Sequence, residues 1–354
     1  MIKPQVNRRA RGQKSNGSGL KDLVRISPLN GDSNLVMVIE PEIEGINLPN
    51  WIGQNGEKMN ELVHKHGVVL FRGFDTKKDE DGIAISASLP WQKEETSAWE
   101  NTAPRHKVRE NVYVASTIPK TESIFFHSDH SQSAYYAEKV SFFCAQAPEE
   151  GGENPFVDNR IILAKMDPEI RKTFKEKGWR LVRNIHETLG VNFRDSFWDR
   201  SKEEVEEFCR AEDIILEWHG ETVKTSWTRA AIVEHPLTGE ESWYNHIAFW
   251  HIAALPDQVR ENMLAQFGLE GMPFNVLYGD GTVIPDEVIH HIRDLMVAHQ
   301  ESFSWQSGDY VIADNILTSH GRTPYKGDRK SRINLFNRTR RPVFKPVLNN
   351  CSKQ

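Results

Sequence analysis

Short apolar runs crowd the two ends of the chain, and stretches with helical spacing occupy the middle. From Leu23 to Glu44 runs such as Leu35–Ile39 read as strands, and Gly67–Gly73 reads as a buried strand bounded by glycines. Between them Met59–His66 repeats its apolar residues at helical spacing. Residues 75–110 are polar and read as irregular. Asn111–Ala115 and Ser123–Phe126 then predict strands leading to His127-Ser128-Asp129, Lys139–Ala145 predicts another, and Glu149–Pro155 is a turn-rich loop. Helices are expected over Ile162–Lys177, with a start signal at Asp167-Pro168-Glu169, over Ser201–Glu212 with Ser201 as cap, over Pro256–Phe267 and over Pro285–His299. Trp179–Arg183 and Ile214–Trp218 are strand-like pieces among them. The end returns to strands at Ser302–Trp305, Asp309–Ala313 and Arg332–Phe336.

This order predicts a mainly β fold, a double-stranded β-helix (jelly roll) whose first and last strands flank a long, mostly helical insertion at about residues 160–300. Neither half of the β pattern has partners alone, so residues 22–345 form a single domain. Residues 1–21 carry Lys3, Arg8, Arg9, Arg11, Lys14 and Lys21 without an acidic residue, and read as a disordered basic tail. Residues 346–354 read as a second tail.

Composition narrows the class. With 38% hydrophobic and 27% charged residues the chain has the apolar content of a soluble globular core. A net charge of −6 argues against a dedicated nucleic-acid binder. No apolar stretch approaches the ~20 residues of a membrane helix, and no hydrophobic leader opens the chain. The three cysteines, Cys144, Cys209 and Cys351, are scattered, which fits a reducing cytoplasm.

The candidate chemistry starts at His127 and Asp129. Two residues apart on an extended strand, they project from one face. If the strand Asp309–Ala313 neighbours theirs, His320 joins them after the turn Asp314-Asn315. Two imidazoles and one carboxylate suit iron(II), with open positions for a chelating cosubstrate and dioxygen. Zinc is the chemical competitor, but a zinc hydrolase needs a further base and no HExxH-like arrangement is present. His130 should point away from Asp129. Downstream, Arg329, Ser331, Ile333 and Leu335 share the more apolar strand face, so Arg329 should point inward and pair with a carboxylate of the cosubstrate. Arg332 takes that role if a bulge shifts the register.

Taken with Phe142-Phe-Cys, Gly151-Gly-Glu-Asn-Pro, Glu234-His-Pro-Leu-Thr-Gly-Glu240, Trp243-Tyr-Asn245, Gly308-Asp, Asp314-Asn and His320-Gly-Arg in this order, the chain resembles the TauD/TfdA family of iron(II)- and 2-oxoglutarate-dependent oxygenases over roughly residues 55–342. It is most similar to the syringomycin-biosynthesis-like branch, which modifies amino acids and natural products. The resemblance implies His127, Asp129 and His320 as catalytic metal ligands and Arg329 as the 2-oxoglutarate arginine. Asn154 stands where the family usually has a threonine that helps hold that cosubstrate. Halogenating relatives carry Gly or Ala at the position of Asp129, so the retained carboxylate favours hydroxylation or a related oxidation such as desaturation. The implied reaction consumes O2 and 2-oxoglutarate, releases succinate and CO2, and oxidises an unactivated C–H bond. The substrate is a small molecule, free or tethered to a carrier protein. Neither nucleic acid nor membrane is an expected partner, and a homo-oligomer is left open. Trp243 and Asn245 either line the substrate pocket or form a buried aromatic turn. Trp179, Trp198, Trp218, Trp227, Trp243 and Trp250 supply the insertion with candidates for a mobile lid. The other functional class is a catalytically idle jelly roll that binds or senses a metabolite, which the intact triad disfavours.

Overall fold

The computed structural model describes residues 23–347 except 95–99, 103–106, 110–111, 115–117, 188–189 and 221. The expected basic tail, and the final tail beyond residue 347, lie outside these residues.

The apolar run Val68–Phe71 is buried at every position because both faces of its strand are covered. Val68 and Leu70 face one apolar cluster with Val140, Phe142, Cys144, Val311 and Ile333. Val69 and Phe71 face another, with Phe143, Tyr310, Ile312 and Phe336 against the helices Leu48–Gln54, Gly56–His66 and Asp79–Ser88. The strands form a nine-stranded sheet in the order Val24–Pro28, Val36–Pro41, Val68–Phe71, Tyr310–Asp314, Tyr135–Gln146, Lys330–Arg340, Val112–Val114, Lys107–Arg109, with Lys93–Glu94 paired to Lys330–Arg340. Strands from the two ends of the chain thus alternate, and neither end can close its ladder alone. A three-stranded sheet, Phe156–Asp158, Thr318–Arg322 and Ile124–His127, contributes Phe156 to the first cluster. This is the jelly roll.

The helix Asp79–Ser88 lies in the stretch read as irregular. Its buried face is built of Gly82, Ile85 and Ser86, so it shows no apolar stripe. Gly82 is needed there because a Cβ would sit 2.4 Å from Phe143 Cδ1. At the other end Ser302–Trp305 forms no strand. Phe303 and Trp305 are buried against the interior, and only Glu301 makes a bridge, to Phe156.

In the insertion the expected helices are present. Ile162–Lys177 is split into Asn159–Lys165 and Pro168–Lys177, with Asp167 capping the second and Pro168 in its first turn. Ser201 and Glu204 form a capping box for Lys202–Ala211. These helices accompany a four-stranded antiparallel sheet ordered Ile215–His219, Thr222–Arg229, Trp179–Ile185, Phe274–Tyr278, two of whose strands the sequence reading lacked. Thr222–Arg229 alternates buried and half-buried residues. Its half-buried face is polar (Thr222, Lys224, Ser226 and Thr228), which leaves too short an apolar signal. Trp179, Leu181, Trp227, Trp243, Val276 and Tyr278 pack into one cluster together with Phe126 and Val157 of the small sheet. The insertion therefore shares part of its core with the jelly roll.

Candidate metal centre and its cavity

His127 and His320 are directly opposed across the ladder between Ile124–His127 and Thr318–Arg322, and their ring centroids are 4.6 Å apart. His127 Nδ1 lies 2.9 Å from the Phe125 carbonyl. A carbonyl only accepts, so Nδ1 carries the proton and Nε2 keeps the lone pair. Asp129 Oδ2 lies 3.4 Å from His320 Nε2, and one potential ligand atom from each of the three residues falls within 4.8 Å of the others. Two adjacent ligands about 2.1 Å from an ion stand about 3 Å apart, so this nitrogen–oxygen donor set fits a single divalent ion.

The route to this cluster differs from the expected one. The first strand ends at His127, and Asp129 reaches the site from the turn that follows, not by alternation along a strand. His320 arrives on Thr318–Arg322 itself, while Tyr310–Asp314 pairs with Val68–Phe71 and Tyr135–Gln146. The turn also redirects His130: at φ 53° it faces the cavity, contrary to the strand-based expectation.

The cluster opens into a cavity of about 360 Å³. Arg329 also lines it, and its NH2 donates to Asn154 Oδ1 at 2.8 Å, an oxygen that also accepts from Trp305 Nε1 at 3.0 Å. Burial lowers the Arg329 guanidinium to about 10, which leaves it charged at neutral pH. Among the described residues no carboxylate forms an ion pair with it. The ladder shifts register between Lys330 and Ser331, yet Arg329 and Ile333 both line the cavity. Arg332 goes the other way, with NH2 donating to Asp79 Oδ2 at 3.0 Å.

Trp243 and Asn245 do not line the cavity, which corrects the pocket reading of both. Trp243 is fully buried in the insertion core with Phe174 edge-on at 4.9 Å. Asn245 spends its amide on backbone, donating to Ala231 O and accepting from Ile247 N. Their neighbours His246, Phe249 and Trp250 form the wall with Phe274. His246 stacks on Trp250 at 4.0 Å, Trp250 on Phe274 at 5.2 Å, and Phe249 on His127 at 5.4 Å. Burial, then the nearby His127, lowers His246 well below the usual histidine range, so it is neutral, with Nδ1 2.5 Å from Ser131 Oγ. The sequence signal for this wall is the aromatic density of Phe249-Trp250, shortly beyond Trp243-Tyr-Asn245.

A second trio, His64, His235 and Asp314, also clusters. Here Lys139 Nζ already stands 2.9 Å from Asp314 Oδ2, and His235 Nε2 lies 3.1 Å from the same oxygen. Burial alone would raise Asp314. The lysine charge and the His235 hydrogen bond instead hold it well below the usual carboxylate range. The Asp314 carboxylate thus already has a cationic partner.

A jelly roll that gathers two imidazoles and a carboxylate in an aromatic cavity also lined by an arginine has the architecture of a non-haem oxygenase. The sequence profile of the taurine catabolism dioxygenase TauD, TfdA family matches residues 25–338, and the chain belongs to that family of iron- and 2-oxoglutarate-dependent dioxygenases. The dapdiamide synthesis protein DdaC of Enterobacter agglomerans is 36% identical over 297 residues, covering 84% of this chain and 88% of that protein. A clavaminate synthase-like protein of Arabidopsis thaliana is 25% identical over 283 residues, covering 77% and 82%. The fold is similar to that of PvcB from Pseudomonas aeruginosa, with a TM-score of 0.54 at 15% identity over 92% of this chain and 97% of PvcB. Among the described residues no helix is long and apolar enough to cross a membrane.

Proposed function

We propose that His127, Asp129 and His320 hold the iron(II), that Arg329 and Asn154 seat the far carboxylate of 2-oxoglutarate, and that the enzyme hydroxylates an unactivated C–H bond of an amino acid or amino-acid-derived natural-product intermediate. The observation that carries this reading is the convergence of three donor atoms within 4.8 Å in the same cavity as a charged arginine that has no ion-pair partner among the described residues. The substrate class draws support from DdaC, a dapdiamide synthesis protein, and from PvcB, an Fe, alpha-ketoglutarate dependent oxygenase from an isonitrile synthetic pathway.

When bound, iron with dioxygen and 2-oxoglutarate supplies the oxidising power and yields succinate and CO2. The chain's own residues supply position. His127 is fixed in tautomer by Phe125 O and in tilt by Phe249. Asn154 orients Arg329 so that its guanidinium presents a planar fork to a carboxylate. The stacked wall of His246, Trp250 and Phe274 shields the metal side from water and leaves one neutral imidazole among apolar surfaces to orient a polar substrate group.

The test is succinate release from 2-oxoglutarate by iron-loaded protein in the presence of candidate amino acids. His127→Ala, Asp129→Ala and His320→Ala should each abolish product formation while the thermal transition is retained. Near-normal turnover with stoichiometric iron in any of them removes that residue from the ligand set.

A further inference from the structure

The three residues proposed to hold the metal are not equally well supported by the fold. His127 and His320 lie on hydrogen-bonded strands, where the ladder fixes their backbone. Asp129 lies two residues beyond the end of its strand, next to His130 with its positive φ of 53°. A ligand on a turn has no ladder to hold it, and a displacement of half an ångström is enough to spoil coordination. Something else must fix it.

The side chain of Asn315 does so. Its Oδ1 accepts from the Asp129 backbone N–H at 2.8 Å, and its Nδ2 donates to the Asp129 carbonyl at 2.8 Å. A primary amide carries the same acceptor and donor as a peptide group, so this pair reproduces one rung of an antiparallel ladder where the strand has already ended. The remaining Nδ2 proton goes to Ala137 O at 2.7 Å, and the Tyr244 hydroxyl adds a longer bond to Asp129 O at 3.3 Å. Asn315 is itself immobilised. It is fully buried, and its backbone N–H donates to Glu138 O. The preceding Asp314 carboxylate caps the N–H groups of Ile316 and Leu317 while paired with Lys139 and His235. The buried Lys139–Asp314–His235 group thereby anchors the turn that carries Asn315.

We propose that Asn315 is the positioning residue of the metal centre, an amide that substitutes for a missing strand neighbour and sets the Asp129 carboxylate toward the ion. The proposal rests on the assignment of Asp129 as a ligand. It makes Asn315 a determinant of metal affinity, although its side chain does not line the cavity.

The probe is Mn(II), titrated into the metal-free full chain and followed by the electron paramagnetic resonance of the free ion, with thermal melting measured alongside. Loss of outer-shell partners of metal ligands typically weakens binding by about 10–100-fold, and Asn315→Ala should fall in that range. In an Asp129→Ala background the same substitution should change Mn(II) affinity by less than about twofold, because the residue acts through Asp129. A merely structural asparagine predicts equal losses in both backgrounds, and that result overturns the proposal. So does unchanged affinity in Asn315→Ala. Should this variant not fold, Asn315→Asp, which keeps shape and acceptor but loses both donated bonds, is read by the same two comparisons. If the unmodified protein binds no Mn(II), or Asp129→Ala binds it as tightly, the ligand assignment itself fails. That outcome is distinct from a failure confined to Asn315.

Discussion

Removing the charge at Arg329 should separate cosubstrate binding from stability, because its guanidinium has no carboxylate partner among the described residues. It sits partly buried at the cavity wall, and among the described residues its Nε has no hydrogen-bond partner and its one side-chain hydrogen bond goes to a neutral amide, Asn154. Arg329→Met therefore removes a cation that the folded protein gains little by holding. A carboxylate seated on it forms a charge-assisted pair, and truncating one partner of such a pair costs about 2–5 kcal/mol. That range corresponds to a loss of about 30-fold to several thousand-fold in 2-oxoglutarate affinity. At a ligand concentration of about 100 times the wild-type Kd, binding adds about 2.7 kcal/mol of stability. A 100-fold weaker variant at the same concentration gains only about 0.4 kcal/mol. The ligand-induced shift in Tm should fall from roughly 5 °C to under roughly 1 °C, while the ligand-free Tm stays level or rises. Calorimetric titration of Mn(II)-loaded protein gives Kd directly. Arg332→Ala is the internal control: its partner is Asp79, away from the cavity, so Kd should hold within about twofold while some stability is lost. A Met variant that keeps its affinity within about threefold, or a greater loss in Arg332→Ala, refutes the assignment of the anion seat.

Other outcomes follow from burial. Trp243→Ala should cost about 3–5 kcal/mol of stability, as large aromatic truncations in cores do, with 2-oxoglutarate affinity of the folded protein nearly unchanged. Lost affinity at unchanged stability would place that side chain at the cavity after all. Burial lowers His251 to about 4, and its Nδ1 accepts from the Ala253 N–H, so the native state holds it neutral. The unfolded chain, with its ordinary value of about 6.5, binds more protons over that interval. Stability from this group is therefore complete above pH ~6.5 and is lost as pH falls toward 4, by about 3 kcal/mol at most. Thermal melting of His251→Asn across pH 4–7 should give a flatter profile than wild type, and parallel profiles would remove His251 as the cause.

What the sequence carried, and what it did not, follows from the range of each interaction. The grouping of His127, Asp129 and His320 was legible because few residue types can form a metal donor set. Their route together was not, because the end of a strand at His127 and its cross-strand partner are set by pairing between segments far apart in sequence. Strand alternation sends Arg329 to the cavity side, and the register shift beside it leaves that direction intact. Trp243 and Trp250 look alike in a sequence, and only the packing of the insertion sends one to the core and the other to the cavity. The helix Asp79–Ser88 leaves no hydrophobic pattern for a related reason. Its inner face is chosen by the room beside Phe143, not by hydrophobicity.

The strand Ile124–His127 belongs to two interiors at once. Phe126 is embedded in the insertion core, and the adjacent His127 faces the cavity. The insertion therefore cannot melt as a separate cooperative unit without baring Phe126 and releasing the backbone on which an imidazole of the centre depends. On heating, insertion and centre should be lost in one step. Sequence drift that loosens the insertion would then register first as heat-labile catalysis, even when every substitution lies far from the metal-side residues.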